Sequence, residues 1–281
     1  MSGSSPDRGS SPRAPITVAI GGLGTVGRVV ARSLDAGIAG LALVAVSARD
    51  EAKARRNMAG FKNPVPVVPL GRLADLADVV VECAPPELFP EIARPAIEQG
   101  RLFIPLSVTT LLDHMDLVER AKTTGARILV PTGALLGLDA VRAVVEGVVH
   151  SVTMTTRKPP KSLRAAKFVI ERGIDLDALK EPLKLYEGTV REAAALFPAN
   201  VNIAVALGLA GIGVDRTRYE IWADPGVERN THAVKVDSDS TRFEMTIANI
   251  PTEKNPATGR NTALSVIALL RRLTAPMVVG S

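Results

Sequence analysis

His232 is the residue in this chain whose type and position best suit acid–base chemistry. An imidazole with an ordinary pKa of about 6.5 takes up or releases a proton near neutral pH. His232 follows the polar run Arg229-Asn230-Thr231 and begins an extended segment. The other two of the three histidines, His114 in a polar helical stretch and His150 at a strand junction, suit surface or core positions. His232 is therefore the candidate catalytic group, with a satisfied core histidine as the alternative.

A second chemical feature is a glycine turn with the spacing Gly-x-Gly-x-x-Gly. It follows the apolar, β-branched run at 16–20 and precedes a helical pattern at 28–34. Strand, glycine turn and helix in this order are typical of a site that holds a dinucleotide pyrophosphate at the helix N-terminus. A βα turn whose glycines serve only backbone geometry is the alternative. The predicted cofactor-binding residues of this turn are Gly22, Gly24, Thr25, Val26 and Gly27.

The end of the second predicted strand bears on which dinucleotide is used. NAD-selective sites place Asp or Glu about 20 residues after the glycine turn, to hold the ribose 2′-hydroxyl. Here the strand ends with Ser47, Ala48 and Arg49, and the next residue, Asp50, suits a helix cap. Ser47 and Arg49 suit a 2′-phosphate, so we predict that NADP is used, alongside NAD.

The glycine-rich run at 131–140 lies at the carboxyl end of the last predicted strand of the first domain. Ligands of open α/β sheets bind outside these strand ends. Its glycines would let the backbone approach the flat nicotinamide ring, and a hinge between domains is a compatible interpretation. Ala84, after the predicted strand at 78–83, joins the cofactor-binding set for the same reason.

Composition argues against several other classes of protein. No apolar run reaches the roughly 18 residues of a membrane helix, and only 3% of residues are aromatic, too few for nucleic-acid stacking platforms. The net charge of +5 is not clustered into a stripe. The single cysteine, Cys83, argues against a disulfide or a cysteine-based zinc site, so no metal is expected. Residues 1–14 are predicted to be a disordered tail rather than a signal peptide, and a cytoplasmic location is expected.

Strands alternating with helices predict the elements that position these residues. Six strands are expected between 16 and 131, which indicates an α/β fold with a Rossmann-type, doubly wound parallel sheet. Beyond them the pattern changes to α+β with an open, mostly antiparallel sheet. There, Thr189 with Glu192 predicts a helix with a capping box, and Asn200 is expected to cap the next, fully apolar helix.

The chain is accordingly divided into a dinucleotide-binding domain at 15–133 and a catalytic α+β domain at 134–254. A C-terminal helix within 255–281 is expected to join the first domain.

Several segments in series resemble the L-aspartate dehydrogenase family, from about residue 16 to the C-terminus. They are residues 131–140, 186–193, 197–204, Asp224-Pro225, 229–232 and the late Asn255-Pro256. The resemblance implies a Rossmann domain, an α+β catalytic domain that supports a homodimer, and NAD(P)-dependent oxidation of L-aspartate to iminoaspartate. The product would feed oxaloacetate and ammonia or NAD biosynthesis. Carried over by position, His232 is the active-site residue, and Ala134 and Asn202 contact the cofactor.

An amino dicarboxylate has two carboxylates, which call for cationic or amide donors. The candidate substrate contacts are Arg157, Lys158, Asn230 and Thr231, with solvated surface charge as the alternative for the cations.

The chain departs from the family pattern at three places. Thr109-Thr110 stands where the family has Gly-Ala, Asp237 to Ser240 replaces glycines, and residues 257–259 are altered. These departures leave open an oxidoreductase or imine reductase acting on another amino or oxo acid. A non-catalytic NADP-binding regulator is a further alternative.

Overall fold

The computed structural model describes residues 14–198, 201–252 and 259–280. The predicted tail at 1–14, apart from Ala14, lies outside these ranges, as do Asn200 and the Asn255-Pro256 motif. Within them the chain forms two five-stranded sheets, and the predicted α/β fold with a second α+β domain is confirmed. None of the described helices combines the length and the apolar composition needed to cross a bilayer.

The first sheet is parallel throughout, with strand order β2-β1-β3-β4-β5. Its strands are β1 (Ile16–Gly21), β2 (Leu41–Ser47), β3 (Val79–Glu82), β4 (Leu102–Pro105) and β5 (Arg127–Ile128). The α-helices along this part are α1 (Thr25–Ala36), α2 (Glu51–Asn57), α3 (Leu73–Leu76), α4 (Phe89–Glu98), α5 (Val108–Leu111) and α6 (Asp116–Thr124). Short 3₁₀ helices occupy Leu70–Arg72, Pro86–Leu88 and Leu112–His114.

Alternate residues of β1 pack into two separate hydrophobic cores, one on each face of the sheet. Val18 and Ile20 pack with Val30 of α1, whereas Ala19 packs on the opposite face with Ile92 of α4. A sheet buried on both faces is the arrangement expected of parallel strands with helical crossovers.

The prediction of a strand at 64–70 is wrong. In this segment Val67 forms only an isolated bridge to Val46. Pro64, Pro66 and Pro69 interrupt the segment, and proline has no N–H with which to continue a hydrogen-bonded ladder. The first sheet therefore has five strands instead of six.

The second sheet has the order β10-β9-β6-β8-β7, in which only the β6–β8 pair is parallel. Its strands are β6 (Val149–Lys158), β7 (Leu183–Thr189), β8 (Arg218–Ala223), β9 (Thr231–Ser238) and β10 (Arg242–Ala248). The α-helices of this region are α7 (Leu138–Val144), α8 (Lys167–Glu171), α9 (Val190–Leu196) and α10 (Asn202–Ala210), with a 3₁₀ turn at Pro160–Ser162. The predicted capping box between Thr189 and Glu192 is confirmed at the start of α9.

One face of the second sheet is covered and the other is open. On β6, Met154, Thr156 and Lys158 are buried, whereas Thr155 and Arg157 between them are half-buried. This period of two follows from strand geometry and decides which side chains point inward. We call the side that carries Thr155 and Arg157 the open face.

The last helix, α11 (Asn261–Arg272), returns to the first sheet. Its Val266 and Leu270 are fully buried in the same core as Val18 and Ile20 of β1. The chain therefore passes from the first core to the second and back again.

Candidate active site

A cleft of about 710 Å³ lies where the carboxyl ends of the first sheet face the second sheet. The first-sheet side contributes the start of α1 and the loops that follow β3, β4 and β5. The second-sheet side contributes the start of α10 and the ends of β6, β9 and β10. Of the predicted site residues, those that line this cleft are Thr25, Val26, Ala84, Ala134, Lys158, Asn202, Asn230 and His232.

His232 lies at the start of β9 and is 3% exposed. Its Nδ1 is 2.9 Å from the hydroxyl of Thr156, the residue beside it on β6. The buried phenol of Tyr219 donates to the same Thr156 hydroxyl at 3.0 Å. Burial, with a smaller contribution from the charge of Lys158, lowers the pKa of His232 to about 3. The ordinary pKa assumed from the sequence is thus wrong for this histidine, which is neutral at physiological pH.

Lys158 ends β6 and is 6% exposed. Burial lowers the pKa of its amine to about 8, because desolvation disfavours the charged form. Lys158 and Thr156 are two residues apart on one strand, so they share the covered face with His232. The cleft therefore contains two nitrogen bases, both with lowered pKa values.

The structure does not bring the other two predicted substrate contacts into the cleft. Arg157 and Thr231 are paired across β6 and β9 on the open face. The Arg157 guanidinium donates to the Asp224 carboxylate at 2.9 Å and lies 4.7 Å from the centre of the Trp222 ring. Since neighbouring residues in a strand point to opposite faces, Lys158 and Asn230 point inward where Arg157 and Thr231 do not. Arg157 and Thr231 are therefore not among the residues that line the cleft, and their contact with a substrate stays a prediction.

The glycine turn fits a pyrophosphate. Gly22 has φ +106°, and a Cβ there would lie 2.5 Å from the Cys83 carbonyl oxygen. A Cβ at Gly27 would lie 2.0 Å from the Gly22 carbonyl oxygen, so both positions need glycine. Around Gly24, a Cβ would meet no atom within 4 Å, which leaves space over the N-terminus of the 12-residue helix α1. A phosphate placed there faces free N–H groups and the positive end of the helix dipole.

Ser47 and Arg49 lie outside the cleft, at the end of β2. Ser47 is buried and its carbonyl accepts a hydrogen bond from Gly22 N at 2.9 Å, whereas Arg49 is exposed. The Asp50 carboxylate accepts from Lys53 N at 2.8 Å and so caps α2, as its position in the sequence indicated.

Glu82 is a buried residue beside the cleft that sequence reasoning missed. Its fully buried carboxylate accepts hydrogen bonds from the backbone of Ala84, Leu106 and Ser107 and from the Ser107 hydroxyl, at 2.8–3.1 Å. Burial raises the pKa of Glu82, and the four donors partly oppose that shift. This carboxylate fixes the loops after β3 and β4, both of which line the cleft. An acidic residue within the apolar run at 79–83 was the signal that could have revealed it.

Asn202 joins the two domains at the first turn of α10. Its Oδ1 accepts from the backbone N of Thr109 at 2.9 Å and from the Thr109 hydroxyl at 2.7 Å. With Oδ1 held this way, the Asn202 amide nitrogen is the group that can donate into the cleft. Thr109 is one of the departures from the family pattern, and its hydroxyl supplies the second of these bonds.

Asn249 is a second residue that sequence reasoning missed. It is 2% exposed, and its amide donates to the Ala134 carbonyl at 3.0 Å. Its Oδ1 accepts from the Asn261 amide at 3.2 Å. Asn249 thereby fixes the loop that carries Ala134 against β10 and α11. No sequence signal marks it, because its partners are distant in the chain.

Cys83 also lines the cleft. Burial raises the pKa of the Cys83 thiol well above its ordinary value, which suits a packing role and not a nucleophile. Within the described ranges, no three His, Cys, Asp or Glu side chains are grouped as metal ligands.

Comparisons with known proteins agree with this geometry. The family model for "Aspartate dehydrogenase, C-terminal" matches residues 139–273, and that for "Homoserine dehydrogenase, NAD binding domain" matches residues 22–131. The chain is 54% identical to the L-aspartate dehydrogenase of Bradyrhizobium diazoefficiens over 95% of its length and 94% of the relative. It is 51% identical to L-aspartate dehydrogenase 3 of Bordetella bronchiseptica, over 96% and 100%. The crystal structure of aspartate dehydrogenase from Thermotoga maritima matches with a TM-score of 0.70 at 28% identity, covering 94% of this chain and 99% of that one.

Proposed function

The chain belongs to the L-aspartate dehydrogenase family, and we infer from this membership that it oxidises L-aspartate with a pyridine nucleotide. The observation that carries the proposal is that one cleft is lined by residues of the glycine turn, by the Ala134 loop and by two buried nitrogen groups, Lys158 and His232. A non-catalytic regulator would have no need for these two groups in the cofactor cleft.

The reaction requires one proton and one hydride to leave the substrate. The ammonium group loses a proton, and the nitrogen lone pair then forms a C=N bond as the hydride leaves Cα. The bound nicotinamide supplies the acceptor for that hydride and its two electrons. Water hydrolyses the resulting iminoaspartate to oxaloacetate and ammonia. The protein's tasks are therefore to bind both carboxylates, to accept the proton and to hold Cα at the ring.

The polar groups that suit the substrate lie on the second-sheet side of the cleft. We assign Lys158, Asn230 and His232 to substrate contact, because all three line the cleft at the ends of β6 and β9. Asn202 and Ala134 lie in the α10 turn and the strand-end loop, and we assign them to the nicotinamide end of the cofactor.

We propose that NADP is accepted, alongside NAD. The support is the end of β2, where Ser47 and the exposed Arg49 lie and where the following acidic residue, Asp50, caps α2. In an NAD-selective site, an acidic side chain at this position would repel the 2′-phosphate of NADP, whereas here the Arg49 guanidinium would attract it.

We also propose a homodimer formed through the open face. This face is covered by no element of the described chain, and it carries Trp222, the single tryptophan, flanked by Arg157 and Lys184. A half-buried aromatic with cationic neighbours is typical of an interface. A cytoplasmic location remains our proposal as well, to be checked by cell fractionation.

The reaction is tested by following nicotinamide absorbance at mildly alkaline pH with L-aspartate, using NAD and NADP in parallel. His232→Ala should lower kcat by about 10²-fold or more while cofactor affinity is retained. His150→Ala, a change at an exposed histidine, is the matched control and should leave kcat unchanged. Oxidation of another amino acid but not of L-aspartate would overturn the substrate, and an unimpaired His232→Ala enzyme would overturn the site.

A further inference from the structure

We propose that Tyr219 and Thr156 are positioning residues that hold His232 as a neutral imidazole with its proton on Nε2. In the reaction proposed above, on which this inference rests, His232 then acts as a hydrogen-bond donor to the substrate. The proton acceptor is Lys158.

Three buried side chains, those of Tyr219, Thr156 and His232, are linked in series by hydrogen bonds. Tyr219 and Thr156 are both fully buried. Among the described residues, the Tyr219 hydroxyl has one hydrogen-bond partner, the Thr156 Oγ1 at 3.0 Å. Since a phenol has one hydrogen, it donates that hydrogen to Thr156. The opposite direction would leave the phenol hydrogen buried without an acceptor, which is costly.

The Thr156 hydroxyl lies between the Tyr219 phenol and the His232 ring. Its hydroxyl accepts from Tyr219, and its own hydrogen needs an acceptor. His232 Nδ1, at 2.9 Å, is the remaining partner in the described structure. Nδ1 therefore accepts, and the imidazole proton sits on Nε2.

The other ring nitrogen of His232, Nε2, faces the cleft, for the following reasons. Every fully buried side-chain nitrogen or oxygen in the described ranges has a hydrogen-bond partner. His232 has its side-chain hydrogen bond at Nδ1, and it lines the cleft. Nε2 is therefore the accessible atom, and it presents an N–H to the substrate.

Two physical effects keep His232 from acting as a base. A second proton on the ring is opposed by burial and by the charge of Lys158, which together lower its pKa to about 3. A neutral ring with its proton on Nδ1 would reverse both hydrogen bonds and leave the hydrogen of the Tyr219 phenol buried without an acceptor. Burial also raises the pKa of that phenol, so it keeps its proton.

Lys158 is the group left to accept the proton. Among the described residues that line the cleft, the titratable groups are Cys83, Lys158 and His232. In the step, an N–H bond of the substrate ammonium breaks and a new N–H bond forms on the Lys158 amine. The substrate nitrogen lone pair then forms C=N as the hydride leaves Cα. His232 Nε2–H stays intact throughout and donates to a substrate carboxylate oxygen.

The tautomer is measured directly on the full chain, labelled with nitrogen-15 histidine, by long-range proton–nitrogen NMR correlation. The three histidine signals are assigned with His114→Gln and His150→Gln variants. At neutral pH we expect His232 to show a protonated Nε2 and an unprotonated Nδ1. A protonated Nδ1, or an imidazolium, would overturn the proposal. This measurement needs no turnover, so its result is independent of whether L-aspartate is the substrate.

Substitutions of Tyr219 and Thr156 distinguish a role in positioning His232 from a role in folding alone. Tyr219→Phe frees the Thr156 hydroxyl to accept, so the NMR signal should move toward the Nδ1–H tautomer, with kcat/KM lower by about 10-fold. Thr156→Val should lower kcat/KM by about 10²-fold, as in other enzymes with a mis-set histidine tautomer. Thr156→Ser should restore both the tautomer and activity to within about 3-fold.

Matched controls remove the same groups elsewhere. Tyr186→Phe deletes the hydroxyl of the other tyrosine, and Thr153→Val makes the valine change on the opposite face of β6. Both should leave the His232 signals in place. An unchanged tautomer in Tyr219→Phe and Thr156→Val, with the proteins folded, would overturn the positioning role.

Discussion

Lys158 and His232 lie at adjacent strand ends of one cleft, and burial lowers the pKa of both. The consequences differ. With a pKa of about 3, His232 stays neutral throughout the physiological pH range, whereas with a pKa of about 8, Lys158 changes its protonation state near the upper end of that range. The residue that titrates in the working range is thus not the one that sequence reasoning selected.

We predict that oxidation of L-aspartate accelerates as the pH rises through about 8 and then levels off. Only the neutral Lys158 amine can accept a proton, and its neutral fraction grows across that pH. Lys158→Arg keeps the charge but stays protonated, so it should lose this rise and lower kcat/KM by about 10²-fold. The measurement is a pH profile of kcat/KM, with Lys161→Arg at an exposed position as control. A rise retained in Lys158→Arg would contradict the role.

The same lysine should weaken the fold at neutral pH. Its folded pKa of about 8 lies below the value of 10.5 expected in the unfolded chain, so the unfolded state binds more protons between these values. Stability therefore rises with pH through that window. Lys158→Met should raise the free energy of unfolding at pH 7 by about 1–3 kcal/mol, a gain that shrinks toward pH 10. Urea unfolding at both pH values tests this, and destabilisation by Lys158→Met at pH 7 would contradict it.

A third prediction at this scale concerns the exposed guanidinium at the end of β2. Arg49→Ala should weaken NADP binding by about 10-fold, because a charge-assisted contact to the 2′-phosphate is lost. NAD binding should change by less than about 2-fold. Titration calorimetry with both nucleotides measures this, and Arg56→Ala, an exposed neighbour on α2, is the control. Equal losses for NAD and NADP would refute the assignment.

At the scale of elements, two hydrogen bonds from Thr109 to the Asn202 side chain link helices α5 and α10. We predict that Thr109→Val weakens cofactor binding several-fold and lowers the free energy of unfolding by about 1 kcal/mol, because one of two bonds to Asn202 Oδ1 is lost. Thr109→Ser keeps the hydroxyl and should behave as the parent. Equal cofactor affinity in Thr109→Val and Thr109→Ser would show that the backbone bond alone fixes Asn202.

Most, but not all, of the secondary-structure elements could be predicted from the sequence. The glycine turn, the capping box and the alternation of strands and helices are local patterns, and they predicted the fold class correctly. The segment at 64–70 failed because its prolines override an otherwise strand-like run. Arg157 and Thr231 were grouped with their neighbours Lys158 and Asn230 in the sequence, but they do not line the cleft, because neighbouring residues of a strand point to opposite faces.

The missed residues share a different cause. Thr156 meets His232 and Tyr219 across separations of 76 and 63 residues, and Glu82 meets Ser107 across 25. Such contacts depend on strand order and register in the folded sheet, for which a single sequence carries no local signal.

At the scale of the whole molecule, the open face is the side of the second sheet that we expect a second copy of the chain to cover. We predict a solution mass of about twice that of the 29.6 kDa chain, as expected for the commonest symmetric assembly. Trp222→Glu should shift the protein toward monomer in light scattering after size exclusion, since it places a negative charge on the open face. Ile170→Glu, at a side chain 64% exposed on α8, is the control. A monomeric parent protein would refute the interface.

The return of α11 to the first core has a consequence for biosynthesis. Val266 and Leu270 follow the entire second domain along the chain, yet they complete the packing around β1 and α1, which precede that domain. During synthesis from the N-terminus, the apolar surface of the first core that α11 covers therefore stays exposed until the second domain has been made.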